Sequence, residues 1–252
     1  MNRSSFLLLI CFLAGIAGVG ASAQARGDSL RVMTYNVRNC LGPEGDSHDY
    51  RAVADAIMRG RADFIAVQEL DSATRRSGGE YVLGRLAALT GMQPLYARAI
   101  DYDGGAYGIG ILSHERPLSV RRIALPGREE ARALIVAEFD SCVFASTHLS
   151  LTEPDRLASV SIIAAEAAAA RKPFIVAGDW NAEPGSAVLE AFRKAGFTIL
   201  TSPDAHTYPA DNPVETIDYI AVYGEAPAHT AEVIAEPSAS DHRPVTVSIE
   251  RP

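Results

Sequence analysis

Short runs of β-branched and aromatic residues alternate with helical patterns from residue 30 onward. Eight such runs have the length and composition of strands, and they cover residues 30–36, 64–68, 108–113, 134–139, 142–149, 174–179, 216–222 and 244–249. Four segments have helical periodicity, and they cover residues 50–60, 81–91, 155–171 and 186–196. Because no repeat or linker-like stretch interrupts this pattern, we predict a single folded domain.

The order of these elements predicts the fold class. The strands outnumber the helices and do not strictly alternate with them, which argues against a doubly wound parallel sheet. An α/β sandwich fits better, with two sheets packed face to face and helices outside.

Composition limits the protein classes that need to be considered. The chain of 252 residues is 48% hydrophobic and 21% charged, so it has ample apolar surface to bury and is not expected to be mainly disordered. A domain of this size does not need a metal for stability, so a metal inferred here serves chemistry. The net charge of −8 does not indicate a broad cationic surface for nucleic acid, although it leaves a local basic patch open.

The N-terminal segment has the pattern of a secretory signal peptide. Arg3 precedes an uncharged, mostly apolar stretch over residues 6–20, and small residues at 21–23 suit cleavage. The alternative is a retained membrane anchor, but the apolar stretch is short for a bilayer span of about 20 residues. We therefore expect a signal peptide at residues 1–23, a mature domain at 24–252 and a secreted protein, periplasmic if the cell has an outer membrane.

Two cysteines remain in the mature domain, Cys40 and Cys142. Cys40 follows the end of the strand at Asn36, whereas Cys142 lies six residues before His148. If both strand ends meet at one sheet edge, Cys142 lies roughly 20 Å below that edge. We predict that the two cysteines do not pair.

Polar residues follow or end several of the predicted strands. They occur in Thr-Tyr-Asn-Val-Arg, Val-Gln-Glu-Leu, Ser-Thr-His-Leu, Gly-Asp-Trp-Asn, Ile-Asp-Tyr-Ile and Ser-Asp-His, and the residues concerned are Asn36, Glu69, His148, Asp179, Asn181, Asp218, Asp241 and His242. Each one alone is more often a turn, cap or structural residue. If the strand ends meet at one edge, however, so many carboxylates and imidazoles require a cation or a catalytic role.

In this order, the motifs resemble those of the endonuclease/exonuclease/phosphatase superfamily, from about Leu30 to Ile249. That superfamily includes pancreatic-type deoxyribonuclease, exonuclease III-type repair enzymes, inositol polyphosphate 5-phosphatases and bacterial sphingomyelinases. The resemblance implies a four-layered α/β sandwich with mostly antiparallel sheets, and a hydrolase of phosphoester bonds that uses a divalent metal.

The resemblance also implies roles for individual residues. Glu69 is expected to be the principal metal ligand, with Asn36 and Asp241 beside it, and such an oxygen-rich site suits Mg²⁺ or Mn²⁺. Asp179 resembles the carboxylate that orients or deprotonates the attacking water, and Asn181 the amide that holds the water and the phosphate.

Two histidines complete the implied catalytic set. His242 would contact the phosphate or transfer a proton, with Asp218 fixing its tautomer. Which of Asp179 and His242 acts as the base stays open. His148 resembles the deoxyribonuclease and sphingomyelinase members, in which it is the candidate acid for the leaving oxygen.

Further residues are candidates for substrate contact. Arg38 resembles the deoxyribonuclease pattern and could contact a phosphate or be a solvated loop residue. Stretches around Arg75, Tyr107 and Thr207 match a bacterial secreted subgroup, and we expect these three residues at the rim of the cleft.

Several substrates and one non-enzymatic function remain open. The sequence has few clusters of basic residues of the kind that a nuclease uses to bind duplex DNA. It also has no pattern of an aromatic hairpin for membrane insertion. We expect a monomer acting on a phosphodiester or phosphomonoester of a small molecule, lipid head group or nucleotide. A nonspecific DNA or RNA endonuclease and a sphingomyelinase-like enzyme are the alternatives. A catalytically silent binding module would have lost residues that are all present here.

Overall fold

The computed structural model describes residues 29–45 and 47–250, and these residues form two six-stranded sheets. The strands of the first sheet are β1 (Ser29–Asn36), β2 (Phe64–Ser72), β3 (Gln93–Tyr102), β4 (Gly105–Ser113), β11 (His229–Val233) and β12 (Val245–Glu250). Those of the second are β5 (Ser119–Leu125), β6 (Arg132–Glu138), β7 (Val143–His148), β8 (Phe174–Asp179), β9 (Phe197–Ile199) and β10 (Asp218–Tyr223). The predicted signal peptide lies outside the described residues.

Each sheet has one parallel pair of strands at its centre. The first sheet has the order β11-β12-β1-β2-β4-β3, and the second has the order β5-β6-β7-β8-β10-β9. β1 runs parallel to β2, and β7 runs parallel to β8, whereas the other neighbouring strands are antiparallel. The prediction of mostly antiparallel sheets is therefore confirmed.

Four helices cover the outer faces of the sheets. They are α1 (Tyr50–Gly60), α2 (Val82–Thr90), α3 (Glu153–Ala169) and α4 (Ala187–Lys194). One apolar core lies between the two sheets, a second between the first sheet and α1 with α2, and a third between the second sheet and α3 with α4. This arrangement of helix, sheet, sheet and helix confirms the predicted four-layered α/β sandwich.

Local sequence signals account for the ends of the helices. The Asp49 side chain accepts a hydrogen bond from the backbone N–H of Ala52 at the start of α1, and Ser186 caps α4 in the same way. Gly91 adopts a left-handed conformation after α2, where a glycine carries no steric penalty. Pro154 lies in the first turn of α3, which starts at Glu153, two residues before the helix start that the sequence predicted.

Four strands were not predicted from the sequence: β3, β5, β9 and β11. All four are the edge strands of the two sheets; β3, β5 and β11 have many exposed residues, and β9 has only three residues. Because solvated edges tolerate charged and polar side chains, such strands lack the apolar runs that identify a buried strand.

The two cysteines are buried in different cores. Cys40 packs between the first sheet and its helices, whereas Cys142 packs between the two sheets. The prediction that they do not pair with each other is confirmed. Among residues 29–45 and 47–250, no helix has the length and apolar character needed to cross a membrane.

Candidate active site

The sheet topology brings the predicted site residues to one edge of the sandwich. Asn36, His148 and Asp179 are the last residues of β1, β7 and β8. Asp218 is the first residue of β10, and it pairs with Asp179 because β10 runs antiparallel to β8. The segment before β12 reaches the same edge, since β12 runs antiparallel to β1. It carries Asp241 and His242.

Glu69 lies at an irregularity in β2. The pairing of β2 with β4 shifts its register between Val67 and Leu70, and Glu69 has a φ of 59°, in the left-handed region. A β-bulge of this kind redirects one side chain, and here it turns Glu69 toward Asn36 at the end of β1.

Asn36 is the hydrogen-bonding centre of the site. Its Nδ2 donates to Glu69 Oε1 at 2.9 Å and to Asp179 Oδ2 at 3.0 Å. Its Oδ1 accepts from the backbone N–H of Arg38 at 3.1 Å. The nitrogen of the Asn36 amide, not the oxygen, therefore faces Glu69, and coordination of a metal by this residue requires the amide to turn by half a rotation.

Asp218 holds His242 in a fixed orientation. Asp218 Oδ2 lies 2.9 Å from His242 Nδ1, and the same oxygen accepts from Thr207 Oγ1 at 2.5 Å. Burial alone lowers the pKa of His242, but the charge and hydrogen bond of Asp218 outweigh this effect and raise the pKa above its usual value. Because Nδ1 is bound to Asp218, His242 presents Nε2 to the site.

Asp179 stands between the two histidines and Asn181. Its Oδ2 lies 3.5 Å from His148 Nε2 and 3.8 Å from His242 Nε2. Its Oδ1 accepts from the backbone N–H of Asn181 at 2.9 Å, and the Asn181 side chain donates to the carbonyl of Leu149 at 2.9 Å. Asp179, which could accept a proton from a water, is thus fixed by a backbone N–H. Asn181, which could hydrogen-bond the same water, is fixed by the carbonyl of Leu149.

His148 has the opposite electrostatic environment to His242. Burial lowers the pKa of His148 to about 4, although the charge of Asp179 works against this effect. The ring is therefore neutral near pH 7 and carries a single N–H donor. In this state His148 can donate a hydrogen bond to a leaving oxygen.

Arg38 and Asp241 form the outer part of the site. Arg38 Nε lies 3.5 Å from Asp241 Oδ2, and the Arg38 guanidinium also donates to the carbonyls of Gly42 and Pro43 at 3.1 and 2.6 Å. Both side chains of the ion pair are partly exposed, so they remain accessible from solvent.

The donor set of the site fits a divalent cation. Burial raises the pKa of Glu69, and the nearby charges of Asp241 and Asp179 raise it further. The carboxylates of Glu69, Asp179, Asp218 and Asp241 outnumber the cationic groups of Arg38 and His242 by two, which is the charge of one such ion. Oxygen ligands of this kind suit Mg²⁺ or Mn²⁺.

A second group of potential ligands overlaps the catalytic residues. One ligand atom from each of Asp179, Asp218 and His242 lies within 4.8 Å of the others, and all three residues are buried. Nδ1 of His242 is already hydrogen-bonded to Asp218. Asp218 and His242 are therefore suited to holding and moving a proton.

The three predicted rim residues lie in different environments. Arg75 is exposed and pairs with Asp103 at 2.8 Å. Burial raises the pKa of Tyr107, and the charge of the nearby Glu69 raises it further. Thr207 is buried beneath Asp218, so its hydroxyl supports Asp218 and is not at the rim.

Sequence reasoning missed a group of residues behind Glu69. Asp71 is buried, and it binds Asn39, Thr74 and Arg76 through its carboxylate. The sequence motif around Arg75 contains both Asp71 and Arg76, but it predicts a functional role for Arg75 only. Leu70 and Asp71 are both buried, so alternation along β2 does not reveal the carboxylate at position 71.

The fold and the site together define a class of α/β sandwich proteins with an acidic, cation-binding edge and an oriented histidine. The chain belongs to the Endonuclease/Exonuclease/phosphatase family, whose model matches residues 33–242. Members of this family are phosphoester hydrolases that use a divalent metal, so the predicted superfamily and enzyme class are confirmed. Comparison with curated proteins found no match to the chain.

Solved structures of the same fold share little sequence with this chain. A family protein from Bacteroides thetaiotaomicron is 17% identical, with a TM-score of 0.72 over 88% of this chain and 97% of that chain. The mannosyl-6-phosphatase of Bacteroides thetaiotaomicron VPI-5482 is 17% identical, with a TM-score of 0.69 over 87% of this chain and 98% of that chain. A humanized D. rerio TDP2 is 17% identical, with a TM-score of 0.66 over 89% and 100%.

Proposed function

We propose that this protein hydrolyses a single phosphoester bond of a small, soluble substrate by in-line attack of an activated water. The observation that carries the proposal is the position of Asn36, which contacts both Glu69 and Asp179 through one amide nitrogen. The group suited to a cation and the group suited to a water are therefore held side by side, as hydrolysis of a phosphoester requires.

In this proposal Glu69 and Asp241 hold Mg²⁺ or Mn²⁺, and Asn36 joins them when its amide turns to present Oδ1. The ion, when bound, offsets the negative charge that develops on the phosphoryl oxygens. The chain supplies the remaining functions. Asp179 accepts a proton from the water, and Asn181, fixed by its bond to Leu149, orients the water and the phosphate.

The two histidines take different parts in the proposed reaction. His242, held by Asp218, presents a positively charged Nε2–H to a phosphate oxygen. His148 is neutral and donates a hydrogen bond to the leaving oxygen. Arg38 lies at the outer side, where its guanidinium can contact the phosphate in exchange for Asp241.

The charges around the site support a small substrate over a nucleic acid. Four arginines of the segments next to the site are paired with carboxylates: Arg38 with Asp241 at 3.5 Å, Arg75 with Asp103 at 2.8 Å, Arg76 with Asp71 at 2.6 Å and Arg132 with Glu130 at 3.2 Å. Arg243, which follows His242, donates to the carbonyl of Ala210 at 2.7 Å. A polyanion gains affinity from cations that can replace its counterions. Arginines already neutralised by carboxylates contribute little to such binding.

The first experiment measures release of nitrophenol from nitrophenyl phosphate and bis-nitrophenyl phosphate with Mg²⁺, with Mn²⁺ and with a chelator. We expect activity only with metal, and a loss of at least about 100-fold in Glu69→Gln and in Asp179→Asn. The control is Asn212→Ala, which removes an exposed amide in the loop before β10. Equal activity in all four proteins would refute the assignment of the site.

The second experiment compares substrate classes. The panel contains sugar phosphates, because one protein of this fold is a mannosyl-6-phosphatase, with inositol phosphates, plasmid DNA and sphingomyelin vesicles. We expect turnover of one or more soluble phosphoesters. Nicking of the plasmid, with a KM that rises steeply with salt, would instead favour the nuclease, and turnover of sphingomyelin alone would favour the phospholipid enzyme.

We also propose that the protein is exported and is a monomer, and that it belongs to a bacterial secreted subgroup. The pattern of residues 1–23 supports export, and N-terminal sequencing of the protein outside the cytoplasm should find residue 24 first. A full-length protein retained in the cytoplasm would contradict this proposal. Light scattering of the purified domain tests the oligomeric state.

A further inference from the structure

A buried carboxylate lies two residues beyond Glu69 on β2. Asp71 has no exposed surface, and it accepts hydrogen bonds from Arg76 Nε at 2.6 Å, from Arg76 through a second nitrogen at 2.7 Å, and from Thr74 Oγ1 at 2.7 Å. It also accepts from Asn39 Nδ2 at 2.9 Å. The carboxylate is therefore fully engaged, with the charge of Arg76 balancing its own.

Asp71 joins two segments whose backbone is unfavourable for residues other than glycine. Arg38, Asn39 and Cys40 form a turn with φ angles of 43°, 55° and 60°, and Glu69 has a φ of 59°. Asn39 is held from both sides, since its amide donates to the Asp71 carboxylate and its Oδ1 accepts from the Asp71 backbone N–H at 3.1 Å. Left-handed segments of this kind persist only where surrounding contacts fix them.

Both of these segments carry groups of the active site. The turn begins directly after Asn36 and Val37, and the backbone N–H of Arg38 binds Asn36 Oδ1. The bulge presents Glu69. The orientation of the Asn36 amide and of the Glu69 carboxylate therefore depends on segments that meet at Asp71.

Arg76 is itself locked in place by aromatic rings. Its guanidinium carbon lies 4.5 Å from the centre of the Tyr102 ring and 5.6 Å from that of Tyr107. Because Nε and one terminal nitrogen are bound to Asp71, the fork of Arg76 points into the protein and not at a substrate.

We propose that Arg76 is a positioning residue that acts through Asp71 to hold the bulge that presents Glu69, and the turn that follows Asn36, in place for binding of the catalytic metal. The metal itself rests on the proposed function, but the positioning role does not. The side-chain contacts of Arg76 are with Asp71, Tyr102 and Tyr107 and not with Glu69, Asn36 or Asp241, so we expect its effect on metal affinity to act through Asp71. Outer partners of metal ligands typically change metal affinity or activity by about 10- to 100-fold when they are removed.

The test uses three variants of the whole mature protein. Arg76→Gln removes the charge and the two parallel hydrogen bonds to Asp71. Arg76→Lys keeps the charge but loses the two parallel hydrogen bonds and the stacking of the guanidinium on Tyr102 and Tyr107. The matched control is Arg98→Gln, because Arg98 lies on β3, the strand that also carries Tyr102, and pairs with the exposed Asp101 at 2.6 Å. If Arg76→Gln does not fold, Arg76→Lys carries the test.

The first measurement is Mn²⁺ binding by calorimetry, followed by steady-state kinetics at saturating Mn²⁺. We expect the dissociation constant for Mn²⁺ to rise at least about 10-fold in the Arg76 variants and to stay within about twofold in the control. We expect KM at saturating Mn²⁺ to stay within about twofold of wild type. An unchanged Mn²⁺ affinity in the Arg76 variants would overturn the proposal. If KM rose in those variants while the Mn²⁺ affinity stayed unchanged, Arg76 would instead be a substrate contact.

The second measurement is hydrogen exchange of the metal-free protein, which does not depend on catalysis. We expect faster exchange at residues 36–42 and 66–72 in the Arg76 variants, with unchanged exchange in α3. If wild type bound no Mn²⁺ and hydrolysed nothing, the proposed function would fail. In that case faster exchange at these two segments would still support the positioning role, and unchanged exchange would refute it.

Discussion

Asn36 and Asp179 join the two sheets of the sandwich at the active edge. Asn36 ends β1 in the first sheet, Asp179 ends β8 in the second, and the amide nitrogen of Asn36 donates to Asp179 Oδ2 at 3.0 Å. The second hydrogen of the same nitrogen goes to Glu69. One short side chain therefore sets the separation between the proposed metal ligand and the proposed base.

Replacement of Asn36 by alanine should reduce kcat by about 100-fold, with a smaller effect on stability. The change removes the donor to two carboxylates, and loss of one oriented donor at a reacting centre costs about this much. Steady-state kinetics with bis-nitrophenyl phosphate measure the effect, and Asn212→Ala is the control for removal of an amide. A kcat within about twofold of wild type would show that Asn36 is not needed to align the site.

Glu69→Gln should change stability in opposite directions with and without metal. Wild type gains about 2.7 kcal/mol from a ligand at 100 times its dissociation constant, and the variant should lose this gain because it lacks the main ligand. In a chelator the variant should be at least as stable as wild type, since burial and the charges of Asp241 and Asp179 disfavour an ionised Glu69.

Thermal unfolding of both proteins, with Mn²⁺ and with a chelator, measures this change in the relative stability of wild type and variant. A variant that Mn²⁺ stabilises as much as wild type would place the metal elsewhere.

The stability of the metal-free protein should fall as pH decreases from 6.5 to about 4, in part because of His148. Its pKa is about 6.5 in the unfolded chain and about 4 in the folded protein, so the unfolded state binds more protons in this window. The contribution of His148 to stability is therefore full well above pH 6.5 and declines below it, by on the order of 3 kcal/mol. His242, whose pKa is raised, is protonated in both states below pH 6.5 and adds no slope there.

Urea unfolding of wild type and His148→Gln over this pH range isolates the contribution of His148. The difference in unfolding free energy between the two proteins should move in favour of the variant as pH falls. A difference that does not change with pH would mean that His148 titrates normally in the folded protein.

Thr207→Val should lower kcat by about 10-fold at unchanged KM. The substitution keeps the shape of the buried side chain but removes the hydroxyl that binds Asp218 Oδ2, and a hydrogen bond to a charged group contributes about 1.5–3 kcal/mol. Asp218 would then hold His242 less firmly, whereas the substrate would lose no contact.

Thr207→Ser supplies the matched control, because it retains the hydroxyl. Steady-state kinetics should show that the serine variant recovers most of the wild-type kcat. A valine variant with raised KM and normal kcat would return Thr207 to the substrate-binding rim.

The sequence was most informative where burial is greatest. β8 was predicted at residues 174–179, as observed, because it is a continuous apolar run, and α1 at residues 50–60, because its apolar residues recur with helical periodicity. The edge strands β5 and β11 were missed, since their exposed residues carry no such periodicity. Asp71 and Arg76 were not selected as a pair, because a buried ion pair has no signal of its own in a single sequence.

The sequence by itself determined which residues are available for chemistry, because polar residues at the ends of apolar strands are visible in the order of amino acids. It also determined the fold class, through the number and order of the strands. Only the tertiary structure decided which of those residues meet and what each one does. The parallel pairing of β1 with β2 and of β7 with β8 brings their ends to one edge, and the bulge at Glu69 redirects its side chain. Burial lowers the pKa of His148, whereas the neighbouring Asp218 raises that of His242. Pairing register and burial depend on contacts between distant segments, and no local pattern of residues specifies them.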